Sequence, residues 1–78
     1  MAKILIIDDD IQTTKLLEGM ITLYGHQTTA VNNSMIAMEV ANSTRPDLIL
    51  LDIEIKGGDE YFILAEFIAV FEIVAVLF

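Results

Sequence analysis

Ile4-Leu5-Ile6-Ile7 is a continuous apolar run, opened by Lys3 and closed by Asp8-Asp9-Asp10. A short, largely β-branched run bounded by acid predicts a strand buried on both faces, as in a parallel sheet. Leu16, Leu17, Met20, Ile21 and Tyr24 then recur at helical spacing. They predict an amphipathic helix with that stripe packed inward and Gly25 as its stop. Gln27–Val31, with its two threonines and a valine, suits a second strand. Asn32-Asn33-Ser34 is turn and N-cap chemistry, ahead of Ile36, Ala37, Val40 and Ala41 at helical spacing, and Pro46 closes that helix. Leu48–Leu51 is a further buried apolar run, again ended by an acid, Asp52. Gly57-Gly58 predicts a loop, Asp59 can cap a helix from about Glu60, and Ile73–Phe78 suits a fourth strand.

Strands alternating with helices predict an α/β fold, a parallel sheet with helices on its faces. Sites in such sheets lie at the carboxyl ends of the strands. Two of those ends carry acids, Asp8–Asp10 after the first strand and Asp52 after the third. If these strands are neighbours, Asp8, Asp9 and Asp52 converge. Crowded carboxylates repel and are driven toward protonation unless a cation neutralises them. Oxygen-only donors favour a hard ion, and Mg²⁺ is typically held by one or two carboxylates with water and phosphate oxygens. A carboxylate beside that ion can itself accept a phosphoryl group. Taken alone, a strand-end acid is a solvated loop residue; two sets at matching ends favour a site.

Composition narrows the choice. Seventy-eight residues allow one small domain with a core near the margin of self-sufficiency. The absence of cysteine excludes disulfides, thiolate metal sites and cysteine nucleophiles, and the single His26 cannot build a multi-histidine centre. Four Lys+Arg against twelve Asp+Glu, a formal charge of −8, argue against a nucleic-acid surface. Met1–Lys3 does not begin a signal peptide, so a cytoplasmic location is expected. Of the eighteen residues Tyr61–Phe78, only Glu66 and Glu72 are neither apolar nor aromatic. The length just reaches a membrane span, but two carboxylates within it and no cation at its far end argue for burial in protein instead.

Ile4-Leu5-Ile6-Ile7-Asp8-Asp9-Asp10 and Pro46-Asp47-Leu48-Ile49-Leu50-Leu51-Asp52-Ile53 together resemble the two hallmark segments of bacterial response-regulator receiver domains. The helix–Gly25–strand–helix stretch between them is similar to that family too, so the resemblance covers about Lys3 to Asp59. It implies a flavodoxin-like sheet, here incomplete, with about four strands and three helices. It implies that Asp52 is the phospho-acceptor, that Asp8 and Asp9 hold Mg²⁺ with Asp52, and that the main-chain carbonyl of Glu54 is a further ligand. The partner is then a histidine kinase or another phospho-histidine donor, and the domain is a phospho-acceptor in two-component signalling rather than an enzyme. Asp10 falls outside the pair and is expected as a loop or helix-cap residue.

The resemblance has limits. After Asp52 the family usually continues with a hydrophobic pair, Pro, Gly, any residue, Asp, Gly. This chain has Ile53-Glu54-Ile55-Lys56-Gly57-Gly58-Asp59-Glu60, with Lys56 at the proline and Glu60 at the last glycine. Receivers also carry a Ser/Thr and a Lys at later strand ends, whereas here no Ser or Thr follows Thr44 and no Lys follows Lys56. A solvent-exposed loop position for Lys56 is preferred over its replacing the lost lysine. Composition changes abruptly after Asp59, giving a divergent apolar tail over 60–78. The alternative reading is therefore a non-signalling receiver fragment that self-associates through this tail, and a homo-oligomer is expected on either reading.

Gly57-Gly58-Asp59-Glu60-Tyr61 nearly matches the signature of diguanylate cyclases, but the remaining length cannot build a cyclase domain, and a loop with a helix cap accounts for it. His26 is expected as an exposed turn residue; Met20, Met35 and Met38 as packing residues; Phe62, Phe67 and Phe71 as core or interface.

Overall fold

A computed structural model of the chain describes residues 1–52 and 74–77. In chain order these form β1 (Lys3–Ile7), α1 (Ile11–Leu23), β2 (Gln27–Val31), α2 (Ser34–Thr44), β3 (Leu48–Asp52) and β4 (Val74–Leu77). The four strands make one sheet in the order β2-β1-β3-β4. Every pairing is parallel: Ile7 lies opposite Val31 on one side and Leu51 on the other, and Ile49 opposite Val74. Chain direction across the sheet therefore reverses at β1, whose helical connection leads one way to β2 while the next crosses back to β3. That reversal opens a crevice between the carboxyl ends of β1 and β3.

Strand alternation sends Leu5 and Ile7 to one face, where they join Val31, Ile49 and Leu51 against Ala37 and Ala41 of α2. Ile4 and Ile6, pointing the other way, are also buried, so the sheet is covered on both sides as its apolar runs predict. The two alanines, fully buried, let α2 lie close on the sheet, with Met38 and Val40 packed at the margin. Met35 is 83% exposed on the first turn of α2, which corrects its expected role as a packing residue.

The inward stripe of α1 also differs from the expected one. Thr14, Leu17, Glu18 and Ile21 turn inward, Thr14 fully, while Leu16, Met20 and Tyr24 are 65%, 53% and 79% exposed. Apolar residues occupy two neighbouring sides of this helix, and only one side can face a sheet. Helical spacing alone does not choose between them. Glu18 confirms the choice, its carboxylate accepting from the Thr28 hydroxyl of β2 at 3.4 Å.

Caps fall where the residue chemistry places them. Asp10 and Asn33 are the N-caps of α1 and α2, each accepting a backbone N–H two residues on. Gly25, at φ 88°, turns the chain out of α1 toward β2. Arg45 ends α2 in the left-handed region at φ 50°, just before Pro46, whose ring disfavours the helical conformation at that position.

The amino ends of β1, β2 and β3 are tied together by a set of matched hydrogen bonds. Lys3 N–H donates to the Asp47 carboxylate at 2.8 Å, while Asp47 N–H donates to the Lys3 carbonyl at 2.7 Å. Gln27 N–H donates to the Ala2 carbonyl at 2.8 Å, and Ala2 N–H to Nδ1 of His26 at 3.0 Å. His26 is therefore a half-buried acceptor holding the start of β1, not the exposed turn residue its place beside Gly25 suggested. No helix among the described residues is long and apolar enough to cross a membrane. The Gly57-Gly58 loop, the helix from Glu60, Lys56 and the three phenylalanines fall outside the described residues.

Candidate functional site

The crevice between β1 and β3 is where the acids meet. Asp8 follows the last residue of β1 and Asp52 is the last residue of β3. Because these strands are hydrogen-bonded neighbours in parallel register, their carboxyl ends finish side by side. Asp8, Asp9 and Asp52 each present a carboxylate oxygen, and the three oxygens lie within 4.8 Å of one another. Asp8 is 5% exposed, while Asp9 and Asp52 are half-buried, so the cluster is rooted in the fold and open toward solvent. Glu54 lies outside the described residues.

Burial raises the pKa of Asp8 above the ordinary carboxylate range. The charge of Asp52, a carboxyl–carboxyl hydrogen bond with it, and the charge of Asp9 push the same way. The Asp10 N–H, donating to Asp8 Oδ1 at 2.9 Å, opposes them without cancelling them. Together these effects disfavour the ionised form of Asp8 in the metal-free protein. An all-oxygen donor set of three close carboxylates fits a hard divalent cation such as Mg²⁺. Asp10 does not join the cluster. Its carboxylate accepts from the Thr13 hydroxyl and from Gln12 N–H, which hold its pKa below the usual value, as befits a helix cap.

Two residues behind the cluster carried no distinct signal in the sequence. Asn32, read there only as turn chemistry, donates its side-chain amide to the main-chain carbonyl of Asp8 at 2.8 Å and to the Thr14 hydroxyl at 3.2 Å. Thr14 passes its own proton to the Ile11 carbonyl at 2.9 Å. An asparagine just beyond a strand end is the available clue, but its partners are eighteen and twenty-four residues away.

A doubly wound parallel sheet with acids at its reversal point defines a class of α/β domain that binds ligands at that edge. Residues 4–74 match the family model of the response regulator receiver domain, and the chain belongs to that family. It is 40% identical over 57 residues to sporulation initiation phosphotransferase F of Bacillus subtilis, covering 73% of this chain and 46% of that protein. To the polar-differentiation response regulator DivK of Brucella anthropi it is 35% identical over 52 residues, covering 67% and 42%. The chain thus spans about half the length of these curated relatives. Among solved structures, the N-terminal domain of a response regulator receiver protein from Methanoculleus marisnigri superposes with a TM-score of 0.91 at 26% identity, covering 100% of this chain and 67% of that one. The response regulator TrrA of Thermotoga maritima, solved in complex with Mg²⁺–BeF, superposes with a TM-score of 0.84 at 25% identity, covering 97% and 66%.

Proposed function

We propose that this chain is a phospho-acceptor module of two-component signalling, with Asp52 as the acceptor and Asp8, Asp9 and Asp52 as the carboxylates that hold Mg²⁺. The observation that carries the reading is the convergence of these three carboxylates to within 4.8 Å at the reversal point of a receiver-family sheet. A carboxylate oxygen of Asp52 attacks the phosphorus of a phospho-histidine donor. The phosphorus–nitrogen bond breaks, its electron pair stays on the imidazole, and an acyl phosphate forms on Asp52. Bound Mg²⁺ would supply charge compensation for the phosphoryl oxygens. Asp8 and Asp9 would supply the negative field that holds the cation, and Asp52 beside them is half-buried. The donor is a histidine kinase or another phospho-histidine protein, the setting is cytoplasmic, and the main-chain carbonyl of Glu54, which lies outside the described residues, would be a further ligand.

Intact mass after incubation with acetyl phosphate tests this reading. One added phosphoryl group that requires both Mg²⁺ and Asp52 is the expected result, and Asp52→Asn abolishes it. Folded protein that takes up no phosphoryl group at any Mg²⁺ concentration refutes it and leaves the non-signalling reading.

Self-association belongs to the proposal as well. Leu16, Met20, Leu23 and Tyr24 leave an apolar stripe on α1 at 53–81% exposure, which supports a homo-oligomer. Sedimentation at rising concentration should show mass above the monomer; a dispersed monomer throughout removes this part of the reading.

A further inference from the structure

Asp8 is gripped at both of its main-chain polar groups by two successive residues of the β2 exit. Its N–H donates to the Val31 carbonyl at 3.1 Å, and its carbonyl accepts from the Asn32 side chain at 2.8 Å. Extending the parallel register by one step pairs Asp8 with Asn32, where a continuing ladder would offer a backbone N–H to that carbonyl. The chain instead leaves β1 at this point for α1, and the Asn32 amide supplies the donor. A carbonyl only accepts, so the nitrogen of the amide is the atom that faces it. The same nitrogen reaches Thr14 Oγ1 at 3.2 Å, and Thr14, 2% exposed, is anchored to the Ile11 carbonyl. One exposed side chain thereby joins the end of β1, the exit of β2 and the first turn of α1.

The peptide unit between Asp8 and Asp9 is planar, so fixing the Asp8 carbonyl also fixes the direction in which Asp9 leaves the strand. We infer that Asn32, braced by Thr14, is a positioning residue that sets the relative placement of the Asp8 and Asp9 carboxylates and thereby the Mg²⁺ affinity of the pocket. This inference rests on the phospho-acceptor reading for its link to the cation, while its structural core, the held loop, stands apart from it. The Asn32 side chain hydrogen-bonds the Asp8 carbonyl and Thr14 rather than the Asp52 carboxylate. Its removal should therefore change how much Mg²⁺ the reaction needs rather than how fast it runs once Mg²⁺ is saturating.

The experiment compares the wild type with Asn32→Ala, Thr14→Val and Thr14→Ser. In Asn32→Ala the Mg²⁺ concentration giving half-maximal acetyl-phosphate labelling of Asp52 should rise about tenfold, as for other groups that orient metal ligands. The rate at saturating Mg²⁺ should stay within about twofold, since the attacking group is untouched. Amide hydrogen exchange on the metal-free protein gives the second readout. The Asp10 N–H, held on Asp8 Oδ1, should exchange about tenfold faster in Asn32→Ala, while the Leu5–Ile7 amides keep their protection. Thr14→Val should move both readouts in the same direction but less, and Thr14→Ser, which keeps the hydroxyl, should restore them.

Unchanged Mg²⁺ dependence and unchanged Asp10 exchange in Asn32→Ala overturn the inference. So does equal acceleration of the Leu5–Ile7 amides, which marks a general loss of stability. If the wild type itself is never labelled, the phospho-acceptor reading fails. The positioning role then stands or falls on Asp10 exchange and on the Mg²⁺ dissociation constants measured by calorimetry.

Discussion

The two ends of the β2-β1-β3 part of the sheet are built on opposite terms. At the amino end, each of the named polar groups meets a complementary one. Asp47 and Lys3 exchange two hydrogen bonds, Ala2 and Gln27 share a third, and His26 accepts a fourth. At the carboxyl end, three carboxylates crowd to within 4.8 Å, and the buried one has its pKa raised by burial and by its neighbours. The amino end holds the fold; the carboxyl end is held by it. The strands beneath this cluster are fixed by apolar burial of Leu5, Ile7, Ile49 and Leu51. On the proposed reading, a bound Mg²⁺ would relieve the repulsion among these carboxylates.

That contrast can be broken most forcefully with Mg²⁺. At roughly a hundredfold excess over its dissociation constant, Mg²⁺ should stabilise the protein by about 2.7 kcal/mol, seen as a shift in the denaturation midpoint that chelation reverses. In Asp8→Asn this response should be largely lost. The metal-free variant should nevertheless be more stable than the wild type, its midpoint rising roughly 4–8 °C for each 1 kcal/mol of repulsion relieved. A metal-free Asp8→Asn that melts below the wild type would show that the acids are not in conflict.

The amino end should behave in the reverse manner. Asp47→Ala removes the acceptor of the Lys3 N–H and should cost about 1 kcal/mol in urea denaturation, leaving the Mg²⁺ response as in the wild type. A changed Mg²⁺ response in that variant would mean that the two edges are not independent.

The pH dependence gives a finer discrimination. Asp8 has a folded pKa above its unfolded value of about 3.9, so the folded state binds more protons in the interval between the two. Stability of the metal-free protein should therefore fall as pH rises through that interval and level off above it. Asp10 has the opposite sign: its lowered folded pKa contributes stability above the unfolded value that is lost as pH falls through the folded one. Asp10 is solvent-exposed, so the Asp8 slope should dominate, and Asp8→Asn should remove it in denaturation measured across pH 3–7, about the carboxylate range.

The smallest effect expected is at neither edge. Arg45→Gly should relieve the left-handed backbone at φ 50° and raise stability by at most about 1 kcal/mol, partly offset by the freer unfolded chain. Labelling of Asp52 should not change.

Much of this arrangement was legible before any coordinates. The apolar runs closed by acid located β1 and β3, Gly25 and Pro46 marked the helix ends, and Asn32-Asn33-Ser34 and Asp10 marked where the caps fall. Asp8, Asp9 and Asp52 could be selected because acid after a buried strand is a local pattern, and their convergence required one assumption, that β1 and β3 are adjacent. The structure supplies that adjacency. What escaped the sequence was the use made of ordinary residues. Leu16, Met20 and Tyr24 have the spacing of a core stripe, yet a neighbouring side of α1 faces the sheet. His26, Asn32 and Thr14 look like turn and helix residues, yet each holds main chain distant in sequence or braces one that does.

Among the described residues, sequence alone determined the elements and their chemistry, because strand burial, capping and chain breaking act over a few residues and leave local marks. Only the tertiary structure decided which strands are neighbours, which side of α1 turns inward, and that the carbonyl of Asp8 is held by Asn32. Those are choices among partners far apart along the chain. They are settled by the simultaneous packing of both sheet faces and by the requirement that main-chain groups at a strand end find a hydrogen-bond partner.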